Sequence, residues 1–224
     1  MSDRKPSCAQ AFVRQYTALS AARLVPDIKL HLATEITPLW QASEAFLQAY
    51  NMPPPFWAFA WPGSEALAHY VTLHPALVAG KKVLDFAAGS GLAGIACAKA
   101  GAALVEAAEI DPFAAAAIAL NAAENRCDVT VLLDDVVGSP CRWDVLLCGD
   151  VCYEAPMARH IMPWLRRCAA QAVVLMADPG RKYAPSEGGT QLARYEVPTS
   201  LELEDSPSRW VGLTRLESLE ECAP

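Results

Sequence analysis

The segment Val83-Leu-Asp-Phe-Ala-Ala-Gly-Ser-Gly-Leu-Ala-Gly-Ile95 sets Gly89, Gly91 and Gly94 between an apolar strand and the start of a helical pattern. Glycines let a backbone approach a ligand closely and take φ values that other residues avoid, and a helix N-terminus presents free N–H groups. Alone, the run fits either a cofactor turn or a tight strand-to-helix turn that holds nothing. A second element follows one strand–helix unit later, in Ala107-Ala-Glu-Ile-Asp-Pro112, where Glu109 lies 18 positions after Gly91. An acidic residue ending a second strand at that spacing can accept hydrogen bonds from both ribose hydroxyls. Asp111 reads as the N-cap of a helix that opens at Pro112, in preference to a ligand contact. Asp85 separates cofactor classes: a carboxylate inside the first strand would repel a pyrophosphate and suits a cofactor bearing an ammonium and a sulfonium.

These residues need a sheet to bring them together. Apolar strands are expected near 82–87, 104–109, 129–133, 143–149 and 171–177, with helices near 92–101, 112–125 and 155–169. Strands separated by helix-length stretches indicate βαβ units and a parallel sheet covered on both faces. The tail differs: 188–197 and 209–217 alternate with no helix between them, which predicts an antiparallel hairpin. The fold class is therefore α/β, a Rossmann-like sheet of seven strands, mostly parallel and closed by a C-terminal antiparallel hairpin. Residues 1 to about 49 show apolar spacings near three and four, from Phe12 and Tyr16 to Phe46 and Tyr50, and read as helix broken at Pro26 and Pro38. Three prolines, Pro53 to Pro55, then impose an extended path ahead of a dense aromatic loop, and a helix is expected over 64–77. We divide the chain into 1–63, a helical segment with its Pro-rich loop, and 64–224, the cofactor-binding domain, folding as one unit.

Composition narrows the partners. With a net charge of −7 and no dense Lys/Arg cluster, the surface would repel a phosphate backbone, so no nucleic-acid partner is expected. No window of about 20 apolar residues is free of charge and proline, so no membrane partner is expected either. Eight cysteines in a chain this long, several inside apolar runs, read as small hydrophobes in a reducing compartment. Neither a CxxC pair nor a histidine at ligand spacing accompanies them, so no metal is expected. His31, His69, His74 and His160 pair with no nucleophile pattern, which leaves hydrolytic chemistry unsupported. The N-terminus has no secretory pattern, and the expected location is the cytoplasm, or the mitochondrial matrix for a processed eukaryotic form.

The run Asp85-Phe-Ala-Ala-Gly-Ser-Gly91 resembles the first motif of class I, S-adenosylmethionine-dependent methyltransferases, and Glu109 to Pro112 the segment after it. Pro26 to Leu32, Pro55 to Gly63, Trp143 to Glu154 and Asp178-Pro-Gly-Arg181 resemble more narrowly the lysine methyltransferases of the electron transfer flavoprotein β subunit. The likeness spans roughly residues 24 to 181 and weakens from Ser186 onward. It implies transfer of a methyl group from S-adenosyl-L-methionine to a protein lysine, leaving S-adenosyl-L-homocysteine, without a metal, by a monomer whose partner is that subunit.

By this resemblance Asp150 holds the incoming ammonium, Tyr153 orients it, and Glu154 assists or caps the next helix. The cofactor would lie along Trp61, Gly63, Asp85, Ala87, Gly89, Ser90, Gly91, Glu109, Ile110 and Asp150, with Gly63 offering backbone to its carboxylate. Asp134 or Asp135 would receive the adenine amino group. Trp57 and Trp61 either wall the slot with faces that attract a cation or pack the N-terminal segment on the sheet. For Asp178 to Arg181 a plain turn and a substrate-side loop are both open. Other acceptors stay open too: another protein, such as a ribosomal one, or a small amine or pyridine. So does a module that binds the cofactor without catalysis.

Overall fold

A computed structural model describes residues 8–35, 37, 39, 53–199 and 205–218. The strands that the apolar runs predict are present: β3 (Lys82–Phe86), β4 (Leu104–Glu109), β5 (Thr130–Leu133), β6 (Val145–Gly149) and β7 (Val173–Asp178). Val83, Leu84, Asp85 and Phe86 are all buried, as are Val145 to Cys148, because helices cover both faces of a parallel sheet. Those helices are α2 (Pro62–Leu73), α3 (Leu92–Lys99), α4 (Pro112–Glu124) and α5 (Ala155–Cys168). Helix α2 ends at Leu73, short of the expected 77; Pro75 opens a separate 3-10 turn over Pro75–Leu77. The tail forms β8 (Gly189–Pro198) and β9 (Ser208–Leu216), an antiparallel pair with a bulge between Gln191 and Ala193.

The seven strands lie in the order β5-β4-β3-β6-β7-β9-β8. β3 pairs in parallel with β4 on one side and β6 on the other, so chain direction around the sheet reverses between β3 and β6. In open α/β sheets that reversal opens a crevice at the carboxyl ends of the strands. The last strand, β9, inserts antiparallel against β7 and leaves β8 at the edge.

The N-terminal region corrects the all-helical expectation. Helix α1 covers Cys8–Tyr16, but β1 (Ala18–Ala21) and β2 (Lys29–Leu32) form an antiparallel hairpin. Ile28, Leu30 and Leu32 are buried in alternation with more exposed neighbours, a period of two that belongs to a strand. They pack on Leu92, Ile95, Ala96 and Ala122, and burying Leu30 alone is worth about 1.5–3 kcal/mol. Polar side chains fix the hairpin as well. Glu65 of α2 is fully buried and accepts the Arg23 and Leu24 N–H groups at 2.8 and 2.9 Å. Asn121 of α4 and Asn125, the C-cap of that helix, accept the N–H groups of His31 and Lys29, and Asn125 donates to the Lys29 carbonyl. The helical reading of residues 40–50 lies outside the described residues.

Candidate active site

The glycine-rich run is a tight connection from β3 to α3. Ala87, Gly89 and Gly91 have φ of 51°, 55° and 79°, in the left-handed region that favours glycine, and the Gly91 N–H closes the turn on the Ala88 carbonyl. Asp85 secures the turn from below: its Oδ2 accepts the Gly94 N–H at 2.7 Å. It is 3% exposed, so it is the seat of the loop more than its lining. Burial pushes its carboxyl up to about 7, the Gly94 N–H pulls it down, and Glu109 pushes it further up. Ser90 is buried, and its carbonyl accepts from the Asn121 side chain at 2.8 Å. Asn121 thus joins this loop to the N-terminal hairpin through His31.

Glu109 ends β4 beside the loop, its Oε1 accepting the Gly89 N–H at 2.6 Å. Burial raises its carboxyl above the usual range. Ile110, next in the chain, is 73% exposed, and Leu133 at the end of β5 is 53% exposed, so two apolar side chains stand open at this edge. Asp111 is the N-cap of α4, accepting the Phe113 N–H at 2.8 Å, as its place before Pro112 predicts. Asp134 is exposed. Asp135 is engaged elsewhere: slight burial raises its carboxyl, but the Val137 N–H and His160, 2.9 Å away, hold it below the usual range.

Asp150 follows β6 with φ of 56°, a left-handed conformation that turns its side chain back under the strand ends. Its Oδ2 accepts the Gly63 N–H, and its Oδ1 lies 3.0 Å from Nη2 of Arg181. Burial pushes the carboxyl up to about 6, against the pull of the Arg181 guanidinium and the Gly63 N–H. Gly63 is glycine by necessity: a Cβ there would sit 2.5 Å from Asp150 Oδ2 and 2.7 Å from the Ala177 carbonyl. Gly149 has the matching constraint, since its Cβ would meet the Gly63 carbonyl carbon at 2.9 Å. The start of α2 therefore docks backbone to backbone on the ends of β6 and β7.

Two expectations are corrected here. The Gly63 N–H is taken by Asp150, so it is not free to meet a cofactor carboxylate. Trp57 is 1% exposed within a cluster of Phe12, Val13, Ala117 and Leu120, so it packs the N-terminal segment and walls no slot. Trp61 is half-buried, its indole N–H donating to the Phe56 carbonyl at 2.7 Å. The rim is instead Phe56, which the sequence reading did not single out, 48% exposed with its ring 5.7 Å from Tyr153 and 6.1 Å from Trp61. Its signal was the aromatic density of a loop that must cover something. Tyr153 is 41% exposed, and burial raises its hydroxyl. Glu154 occupies the N-cap position of α5 and makes no capping hydrogen bond.

A carboxylate-anchored glycine turn, an acidic strand end and a buried aspartate beside an aromatic rim, on this strand order, define a class I S-adenosylmethionine-dependent methyltransferase. The family model described as ribosomal protein L11 methyltransferase (PrmA) matches residues 69–149. The electron transfer flavoprotein β subunit lysine methyltransferase of Danio rerio is 34% identical over 195 residues, covering 84% of this chain and 74% of that protein. The enzyme of that name from Xenopus laevis is 33% identical over 179 residues, covering 78% and 72%. This chain belongs to that family of methyltransferases. The fold recurs in magnesium protoporphyrin IX methyltransferase of Synechocystis with bound S-adenosylmethionine, TM-score 0.51, 17% identical over 68% of this chain and 77% of that one. It recurs also in ribosomal protein L11 methylase of Lactobacillus delbrueckii, TM-score 0.50, 18% identical over 71% and 81%.

Proposed function

We propose that the protein transfers methyl groups from S-adenosylmethionine to lysine ε-amines of the electron transfer flavoprotein β subunit. The observation that carries this reading is the buried, hydrogen-bonded Asp150 carboxylate beside a rim of exposed Phe56 and Tyr153 and half-buried Trp61. Such a pairing suits a long aliphatic stem ending in a cation. The substrate named for the relatives supplies the particular acceptor.

The residues at the strand ends fit the cofactor. Glu109 offers a carboxylate to ribose hydroxyls, Ile110 and Leu133 offer an apolar platform to a purine face, and Asp134 is open to its amino group. The turn from Ala87 through Gly89 and Ser90 to Gly91 brings backbone close to the amino-acid end, above the acidic Asp85. When bound, the cofactor supplies an activated methyl on sulfur. Asp150 accepts a hydrogen bond from the incoming ammonium, Tyr153 and Phe56 align its stem, and Glu154 adds negative charge at the mouth. A lysine with a pKa of about 10.4 in water must give its proton to solvent at the exposed rim before its nitrogen lone pair bonds the methyl carbon as the carbon–sulfur bond breaks, and a second positive charge nearby favours that loss. Most of the rate then comes from alignment.

Exposure of the rim, with Phe56 and Tyr153 both more than a third exposed, favours a protein acceptor over a small amine. Intact-mass spectrometry of unmethylated flavoprotein incubated with this protein and S-adenosylmethionine tests the reading. Gains of whole methyl increments on the β subunit are expected. An unchanged β subunit, with cofactor binding demonstrated, would sink the acceptor and send the search to other proteins.

A further inference from the structure

The loop after β7 lies against Asp150, and its construction is specific. Asp178, the last residue of β7, turns its Oδ1 onto the Gly180 and Arg181 N–H groups at 2.7 and 2.6 Å. Gly180 has φ of 88°, so the chain reverses there with a backbone that a side chain would strain. The reversal aims the Arg181 guanidinium at Asp150 Oδ1, 3.0 Å away, with only 24% of the Arg181 side chain and 9% of the Asp150 side chain exposed. The second Asp178 oxygen, Oδ2, is buried and has no hydrogen-bond partner among the described residues. Two carboxylates from adjacent strand ends thus share one small region, and the Arg181 guanidinium contacts one of them.

We propose that Arg181 is a positioning residue for methyl transfer: from the seat that Asp178 builds, it holds the Asp150 carboxylate charged and aimed toward the acceptor amine. Burial alone drives Asp150 toward its neutral form, and the negative Asp178 adds to that drive. The groups opposing it are the Arg181 guanidinium and the Gly63 N–H of α2, while Tyr153 and Glu154 lie on its own segment. A neutral Asp150 carries a proton on the very oxygen pair that must accept from an ammonium. The Asp150–Arg181 pair has no net charge, so it orients an amine without stabilising its protonated form as strongly as a lone carboxylate would. The inference rests on the reading that Asp150 meets the lysine, yet its central measurement needs no acceptor.

That measurement is the titration of the Asp150 side-chain carboxyl carbon by NMR in the unliganded protein, assigned with D150N, for wild type, R181Q, R181M and R181K. Removing the guanidinium in R181Q should raise the midpoint by about one to three pH units. R181M keeps the apolar stem and should shift it equally, whereas R181K should return most of the difference. In methyl transfer, the acidic limb of the pH profile for kcat should move in step. An unmoved midpoint in either folded neutral variant overturns the proposal and leaves the pair as a loop tether. A moved midpoint with an unmoved pH profile also overturns it. Failure of wild type to methylate the flavoprotein would sink the acceptor reading alone, with the titration still deciding the role of Arg181.

Discussion

Asp150 is held in a left-handed conformation by contacts on both oxygens, and this makes its substitutions informative. Asparagine tolerates that conformation better than most residues and can still accept the Gly63 N–H. Asp150→Asn should therefore fold, at a cost of about 1–3 kcal/mol from leaving Arg181 without its charged partner. Turnover should drop about 10²-fold or more through lost alignment, while calorimetry shows cofactor affinity within a few-fold of wild type. Wild-type turnover would remove Asp150 from the site. Asp85 gives a prediction of a different kind. Its carboxyl is near 3.8 when unfolded and about 7 when folded, so the folded state binds the proton more tightly. The stability it contributes is complete below the unfolded value and is lost as pH rises through 7. Thermal unfolding of wild type should lose ground to Asp85→Asn across that window; parallel curves for the two would show Asp85 is not the titrating group. Of these residues, Asp85 was legible from its place inside the first strand and Asp150 from its place just after β6. What was not legible was which partner each would find: Gly63 answers to Asp150 and Asp135 to His160, both set by tertiary packing.

At the scale of elements, the site depends on how closely α2 approaches the ends of β6 and β7. Gly63→Ala inserts a methyl 2.5 Å from Asp150 Oδ2 and 2.7 Å from the Ala177 carbonyl, and the strand backbone at Ala177 cannot yield as a flexible side chain would. Helix α2 must lift, at a cost of about 1–3 kcal/mol, carrying Trp61 and the rim with it. A lowered unfolding temperature together with lost turnover is expected; full activity would mean that the docking is not needed. The strands and helices from β3 to α5 were readable because continuous apolar runs and helix-length spacers repeat in phase with the sheet. Phe12, Tyr16, Leu19 and Leu24 mimic a helical spacing that runs into the hairpin β1–β2 and masks it. The true signal was local, the alternation Ile28, Leu30, Leu32 after Pro26, and four-residue strands are too short to outweigh the longer pattern. The polar side chains that hold that hairpin, Glu65, Asn121 and Asn125, carry no periodic signature.

Across the whole molecule, the N-terminal region and the cofactor loop are one mechanical unit. Asn121 accepts the His31 N–H with one end of its amide and donates to the Ser90 carbonyl with the other. Helix α1 and Trp57 cover Ala114, Ala117 and Leu120 on α4, the helix that follows Glu109 at the end of β4. Glu65 sits fully buried and depends on two backbone N–H groups from Arg23 and Leu24. Removing residues 1–35 would strip one carboxylate of both donors, at about 1–3 kcal/mol, and also uncover the apolar face of α4. Domains of this size are stable by only about 5–15 kcal/mol, so these losses together should abolish cooperative unfolding. Calorimetry of the 36–224 fragment is therefore expected to show no sharp transition and no cofactor binding. A fragment that melts cooperatively and binds the cofactor would establish the opposite: a self-sufficient sheet domain, with the N-terminal region serving only to shape the acceptor side.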